Sequence, residues 1–114
     1  MRNSNKANKL LDLFLSVLKQ AKFGVITVTD RKSVLLKHTG EFPGPNTKIT
    51  INDFESLNFF FVKGSLGWAE AYINNYWSTE DLSGFLEWGA RNFYHFSEYV
   101  RGKWYIIFFL RLKH

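Results

Sequence analysis

The chain has 114 residues, 46% of them hydrophobic and 18% aromatic, with a formal net charge of +5 and no cysteine. That length fits one compact domain rather than two of ordinary size, and the lack of cysteine excludes a disulfide framework, a thiolate nucleophile and a zinc-thiolate site while leaving the redox compartment open. The positive balance favours anionic partners such as phospholipid headgroups, nucleic acid or an acidic protein surface, although a few excess charges also serve simple solubility.

Taken in chain order, Met1 to Lys6 is polar and basic, and Asp12 interrupts the apolar segment Leu10–Leu18. No secretory-signal core is therefore expected, and cytoplasmic residence is the default. Residues 7–20 carry Leu10, Leu11, Phe14, Val17 and Leu18 at helical spacing, which predicts an amphipathic first helix. Gly24 opens a different pattern: Val25 to Thr29 is β-branched and strand-like, Asp30-Arg31-Lys32 is a turn signal, and Val34 to His38 returns as a hairpin partner. The segment Thr39 to Asn46 holds two prolines and two glycines and reads as a loop. Thr47 to Ile51 alternates and predicts a third strand; Asn52 and Asp53 are N-cap candidates for a helical turn leading into the apolar run Leu57–Val62.

From Gly64 the pattern becomes helical, with Gly64 and Gly67 suggesting positive φ or close backbone approach before a helix containing Ala69, Glu70, Ala71 and Tyr72. Asn74 and Asn75 break that helix. Ser78 and Asp81 then read as a capping box for the next one, which places Leu82, Phe85, Leu86 and Gly89 on one face. The run Trp104–Leu110, flanked by Arg101, Lys103, Arg111, Lys113 and His114, is too short to span a bilayer, which needs about 20 apolar residues. Its aromatics beside cations suit either a membrane interface or a buried contact with another domain.

The stretch Gly64-Ser65-Leu66-Gly67-Trp68-Ala69-Glu70-Ala71-Tyr72-Ile73-Asn74-Asn75-Tyr76-Trp77 resembles the Gly-x-Leu-Gly-x-x-Glu-Ala-Tyr-x-x-x-x-Trp signature in the N-terminal region of cyclopropane-fatty-acyl-phospholipid synthases. The likeness continues into Asp81-Leu82, which is similar to the Asp-Leu that opens the following helix there, and into Arg91-Asn92, similar to the Arg-Asn that closes it. Upstream, Gly40 to Pro45 is similar to the family's glycine and proline loop. The resemblance covers roughly residues 20–93, with a weaker echo beyond. It departs at Asn75, where the family often has glycine, and at Ile73, where it often has methionine; asparagine tolerates left-handed backbone geometry, so the turn need not break.

The resemblance implies a two-domain enzyme that transfers a methylene group from S-adenosylmethionine to a phospholipid acyl chain, with the chemistry in a second domain. No Glu-x-Gly-x-Gly-like sequence for that cofactor occurs here, so no catalytic residue and no cofactor is assigned to this chain. Residues 1–93 are expected to form a lipid-facing N-terminal domain and 94–114 a basic, aromatic helix or linker. The expected fold is α+β: an N-terminal helix, a small antiparallel sheet and C-terminal helices covering it, sterol-carrier-like by analogy alone.

Glu70, Tyr72, Trp77, Trp104 and Phe108 are the candidates for lipid or interdomain contact, and Gly64, Gly67, Asp81 and Asn92 for structural motif positions. Each has a plainer alternative: Glu70 as a cap or salt bridge of the glycine turn, Tyr72 and Trp77 as core aromatics with a satisfied polar tip. His38, His95 and His114 lack metal-ligand spacing, and Ser65 is not in a nucleophile elbow. The function expected is a non-catalytic module that binds or presents phospholipid acyl chains at an anionic membrane surface, cytoplasmic and peripheral on the inner membrane face. The alternative is an interaction domain that docks a separate methyltransferase chain or forms a homodimer. Nucleic acid is not expected as a partner, because the aromatics cluster in apolar runs such as Phe59-Phe60-Phe61 and are not interleaved with Lys or Arg.

Overall fold

The computed structural model describes residues 2–103 and 105, with side chains from residue 8 onward. The elements run α1 (Arg2–Leu18), β1 (Phe23–Thr29), β2 (Val34–Thr39), β3 (Phe42–Ile51), α2 (Glu55–Ile73), β4 (Trp77–Ser78) and α3 (Leu82–Gly102). This is an α+β fold, with one four-stranded sheet in the order β2-β1-β3-β4 and three helices among the described residues.

The sheet is mixed, not antiparallel as the sequence suggested. β1 pairs antiparallel with β2 and parallel with β3, while β4 pairs antiparallel with the end of β3. After the hairpin the chain crosses the start of β1 and emerges on its other side: Gly40 N–H donates to Gly24 O (2.8 Å) and Phe42 N–H to Lys22 O (2.9 Å). The crossing brings backbone against backbone. Gly24 has φ +77, and a Cβ there would lie 2.3 Å from Pro45 O, a separation only glycine permits. The segment read as a loop is thus the first half of β3. It pairs as Phe23↔Phe42 and then Val25↔Asn46, and the irregularity between them accommodates Pro43 and Pro45, which have no N–H to give a ladder.

Strand alternation divides the sheet into two unlike faces. Ile26, Val28, Thr47, Ile49 and Ile51 are buried on one of them, beneath the helices. Leu10, Phe14, Val17 and Leu18 from α1, Leu57 and Phe61 from α2, and Phe85 and Trp88 from α3 are buried with them, as the spacing of α1 predicts. The other face is open: Val25, Thr27 and Thr29 are half-buried, and Lys37, Thr39, Asn46 and Lys48 are exposed.

α3 departs from the sequence reading in two respects. It does not close at Arg91–Asn92 but continues to Gly102. Its buried seam is Phe85, Trp88 and Asn92, whereas Leu86 is 58% exposed. Two apolar seams lie side by side on this helix, and the one bearing the larger aromatic area takes the core. Its N-cap is Asp81, whose carboxylate accepts the Gly84 N–H at 2.9 Å; Ser78, expected in a capping box, belongs to β4.

Candidate functional site

The tract bearing the family-like signature folds as one closed unit. α2 bends at Gly64, where φ +63 and ψ −135 fall in a region populated almost only by glycine. Past the bend the helix runs back against the preceding turn, so closely that a Cβ at Gly67 would overlap Phe59 O. Both glycine expectations therefore hold, one through positive φ and the other through close approach.

Glu70 spans the bend: the Lys63 ammonium reaches both of its carboxylate oxygens at 3.3 Å. Both partners are substantially exposed, so the pair contributes at most about 1 kcal/mol. α2 ends in a Schellman arrangement, with Tyr76 N–H donating to Ala71 O (2.8 Å) and Asn75 N–H to Tyr72 O (2.9 Å). Asn75 occupies the left-handed position at φ 62, so asparagine fills a place usually given to glycine. Asp53 accepts the Glu55 N–H at the other end of α2, and Asn52 donates from its side chain to Asn75 O (3.1 Å) and Ser78 Oγ (3.2 Å).

Trp77 is the keystone of this unit and is only 2% exposed. Its ring stacks on Trp68 (4.5 Å between centroids, 13° between planes) and lies 4.9 Å from Tyr72 and 5.0 Å from Phe85. Its indole N–H donates to Trp68 O at 2.8 Å. The expectation that Trp77 contacts lipid or another domain is thereby corrected: the ring has no free surface, and its polar tip is satisfied inside the fold. Tyr72 is half-buried against it, while Glu70 keeps part of its surface. Trp104 and Phe108 lie outside the described residues.

Asn92 has a larger role than its place in the sequence suggested. It is fully buried, and its amide makes four hydrogen bonds. Oδ1 accepts from Lys22 N–H (2.8 Å) and Phe23 N–H (3.0 Å); Nδ2 donates to Phe23 O (3.0 Å) and Trp88 O (2.9 Å). Both donors and both acceptor positions of the amide are used, which fastens α3 to the first residues of β1 where the chain crossing occurs.

Among the described residues two surfaces are left uncovered. On the helical side Leu86, Phe93 and Tyr94 of α3 and Leu66 and Ile73 of α2 are exposed apolar side chains. On the sheet side the open face carries threonines and lysines, and at its β4 edge an open groove of about 510 Å³ runs between Lys48, Thr50, Ser78, Thr79 and Glu80. The residues that line this groove are all polar or charged. Thr79 closes its floor by donating to Lys48 O at 2.7 Å.

The sequence reading placed Thr27, Lys37 and Lys48 in strands but singled out none of them as a site candidate. Their signal was available in the alternation of the strands, but it emerges only once β1 and β3 are known to be parallel neighbours.

Among the described residues no helix is long and apolar enough to cross a membrane, and no group of three or more His, Asp or Glu side chains stands ready for a metal ion. Comparisons of the chain with protein-family models, with curated proteins and with solved structures each return no match, so the family resemblance rests on the residues quoted for it.

Proposed function

We propose that this chain is a non-catalytic, lipid-facing module similar to the N-terminal domain of cyclopropane-fatty-acyl-phospholipid synthases, serving an S-adenosylmethionine-dependent methyltransferase whose catalytic domain is not part of these 114 residues. The observation that carries this reading is the geometry of the Gly64–Trp77 tract. Gly64, Gly67, Glu70, Tyr72 and Trp77, the residues on which the likeness rests, each occupy a position where their own chemistry is used: positive φ, close approach, the ion pair across the bend, and stacking. The module's contribution is to bring phospholipid within reach of a methyltransferase; the methylene donor and the reacting centre belong to that other domain.

A second reading is favoured by a different observation, the exposed Leu86 and Phe93 on α3, each 58% accessible. Side chains of that kind on one helix face suit a protein partner: a separate methyltransferase chain or a second copy.

Co-sedimentation of the full chain with phosphatidylglycerol-containing and pure phosphatidylcholine vesicles tests the first reading. Binding that requires the anionic lipid supports it. Absence of binding to both, together with capture of a separate methyltransferase chain, transfers the assignment to the docking reading.

A further inference from the structure

Resting on the lipid-facing reading, we infer that the open face of the sheet is the surface that meets the membrane, and that the cross-strand row Lys37–Thr27–Lys48 on that face is its site for anionic lipid phosphate. Thr27 pairs with Lys37 across β1–β2 and with Lys48 across β1–β3, so the three side chains stand in one line perpendicular to the strands. Neighbouring strands are about 4.8 Å apart, which sets the two lysine backbones roughly 10 Å from each other with the threonine hydroxyl between them. Two lysine side chains at that separation can converge on one phosphate from either side.

Neither lysine is otherwise engaged. Among the described residues the ion pairs are Lys22–Glu41, Lys63–Glu70, Glu87–Arg91 and Glu98–Arg101, and Lys37 and Lys48 belong to none of them. The acidic groups near this face are few. Asp30 accepts the Lys32 and Ser33 amides of the hairpin turn, Glu41 is paired with Lys22, Asp81 caps α3, and Glu80 borders the groove beside Lys48. Arg31 and Lys32, exposed in the hairpin turn, extend the positive field beyond the strands.

The rest of the face suits a bilayer better than a nucleic acid. The adjoining rows are Thr39–Val25–Asn46 and Thr29–Thr50–Ser78, with the Thr29 and Thr50 hydroxyls hydrogen-bonded at 3.1 Å. They are mostly short polar side chains, with Val25 and Val34 among them, rather than a channel of stacking platforms. Apolar side chains stand exposed at the two ends of the face, Val34 at 61% beside the hairpin turn and Phe42 at 51% where β3 begins. Apolar groups that enter the interface, flanking cations that meet headgroups, are the pattern of peripheral membrane attachment.

The test is vesicle affinity of the full chain, measured for four proteins: the parent, Lys37→Gln/Lys48→Gln, Lys37→Arg/Lys48→Arg, and Lys9→Gln/Lys19→Gln, which removes the same charge from α1 and the turn that follows it. Each lysine at an anionic surface is worth about a fivefold change in affinity, so the sheet variant is expected to bind phosphatidylglycerol vesicles roughly 25-fold more weakly. The α1 variant should remain close to the parent, and Lys37→Arg/Lys48→Arg should retain binding. Equal losses in the two glutamine variants, or undiminished binding of the sheet variant, overturn the assignment of this face while leaving the lipid-facing reading intact. A parent that binds neither vesicle type overturns both. A sheet variant that loses single-stranded DNA binding but not vesicle binding overturns the assignment in favour of nucleic acid.

Discussion

The two faces of one sheet follow opposite rules in this protein. On the covered face Ile26, Val28, Ile49 and Ile51 lie under the helices beside Trp77, and the buried amide of Asn92 and the indole N–H of Trp77 are fully paired. On the open face Thr27 and Thr29 are half-buried and Lys37 and Lys48 exposed, and the lysines have no internal charge partner among the described residues. The covered face spends its chemistry on stability, and the open face keeps its chemistry available for a partner. Substitutions on the first should therefore change folding, and substitutions on the second should change association.

The largest effects are expected under the helices. Trp77→Ala removes a buried ring stacked on Trp68 and should cost about 4 kcal/mol, read as a lower denaturation midpoint in urea at unchanged slope. Asn92→Ala leaves the Lys22 and Phe23 amides without their acceptor and should cost about 3 kcal/mol by the same measurement. Gly64→Ala comes next. A Cβ at Gly64 would meet nothing, so any loss is backbone strain at φ +63 alone, about 2 kcal/mol, whereas a vanishing loss would mean that the bend relaxes freely.

Smaller changes sharpen the contrast. Thr47 faces the core with a buried hydroxyl that has no partner among the described residues, so Thr47→Val should raise stability by about 1 kcal/mol in thermal unfolding. Thr27→Val on the open face should leave stability within about 0.5 kcal/mol of the parent. The smallest effect is electrostatic and local. Asp30 titrates below the usual carboxylate range because its side chain accepts backbone hydrogen bonds from Lys32 and Ser33. Its support of the hairpin turn is therefore complete above the ordinary carboxylate value and is lost as pH falls through the lowered one. The Lys32 and Ser33 amide resonances should move together in that acidic window, and in Asp30→Asn that pH-dependent movement should vanish.

Much of the fold was legible where chemistry is local. The helical spacing of Leu10, Phe14, Val17 and Leu18, the hairpin around Asp30, and the bend at Gly64 could all be read from neighbouring residues. So could the left-handed Asn75, because its backbone demand comes from the helix end itself. What escaped the sequence depends on distant partners. Strands that follow each other through short connections suggest an antiparallel meander, and only the backbone crossing at Gly24 and Gly40 reveals why β3 runs parallel to β1. Asn92 looked like a polar helix end because three of its four hydrogen bonds reach residues 69 or 70 positions away. The face expected from Leu82, Phe85, Leu86 and Gly89 held only at Phe85; the burial of Trp88 beside it and the exposure of Leu86 follow from how α3 packs on the sheet. The candidate site was legible only in its structural half, since the row through Thr27 joins three strands whose order no local pattern discloses.

The absence of native cysteine permits the most direct test of the two-face account. A single cysteine carrying an environment-sensitive dye is placed at Thr39 on the open face or at Glu87 on the solvent side of α3, both exposed positions. Each labelled full-length protein is then mixed with phosphatidylglycerol vesicles. The account predicts a blue-shifted, brighter emission from the dye at position 39 and an unchanged spectrum from the dye at position 87; a shift confined to position 87 would contradict it, by placing the helical face rather than the sheet against the lipid.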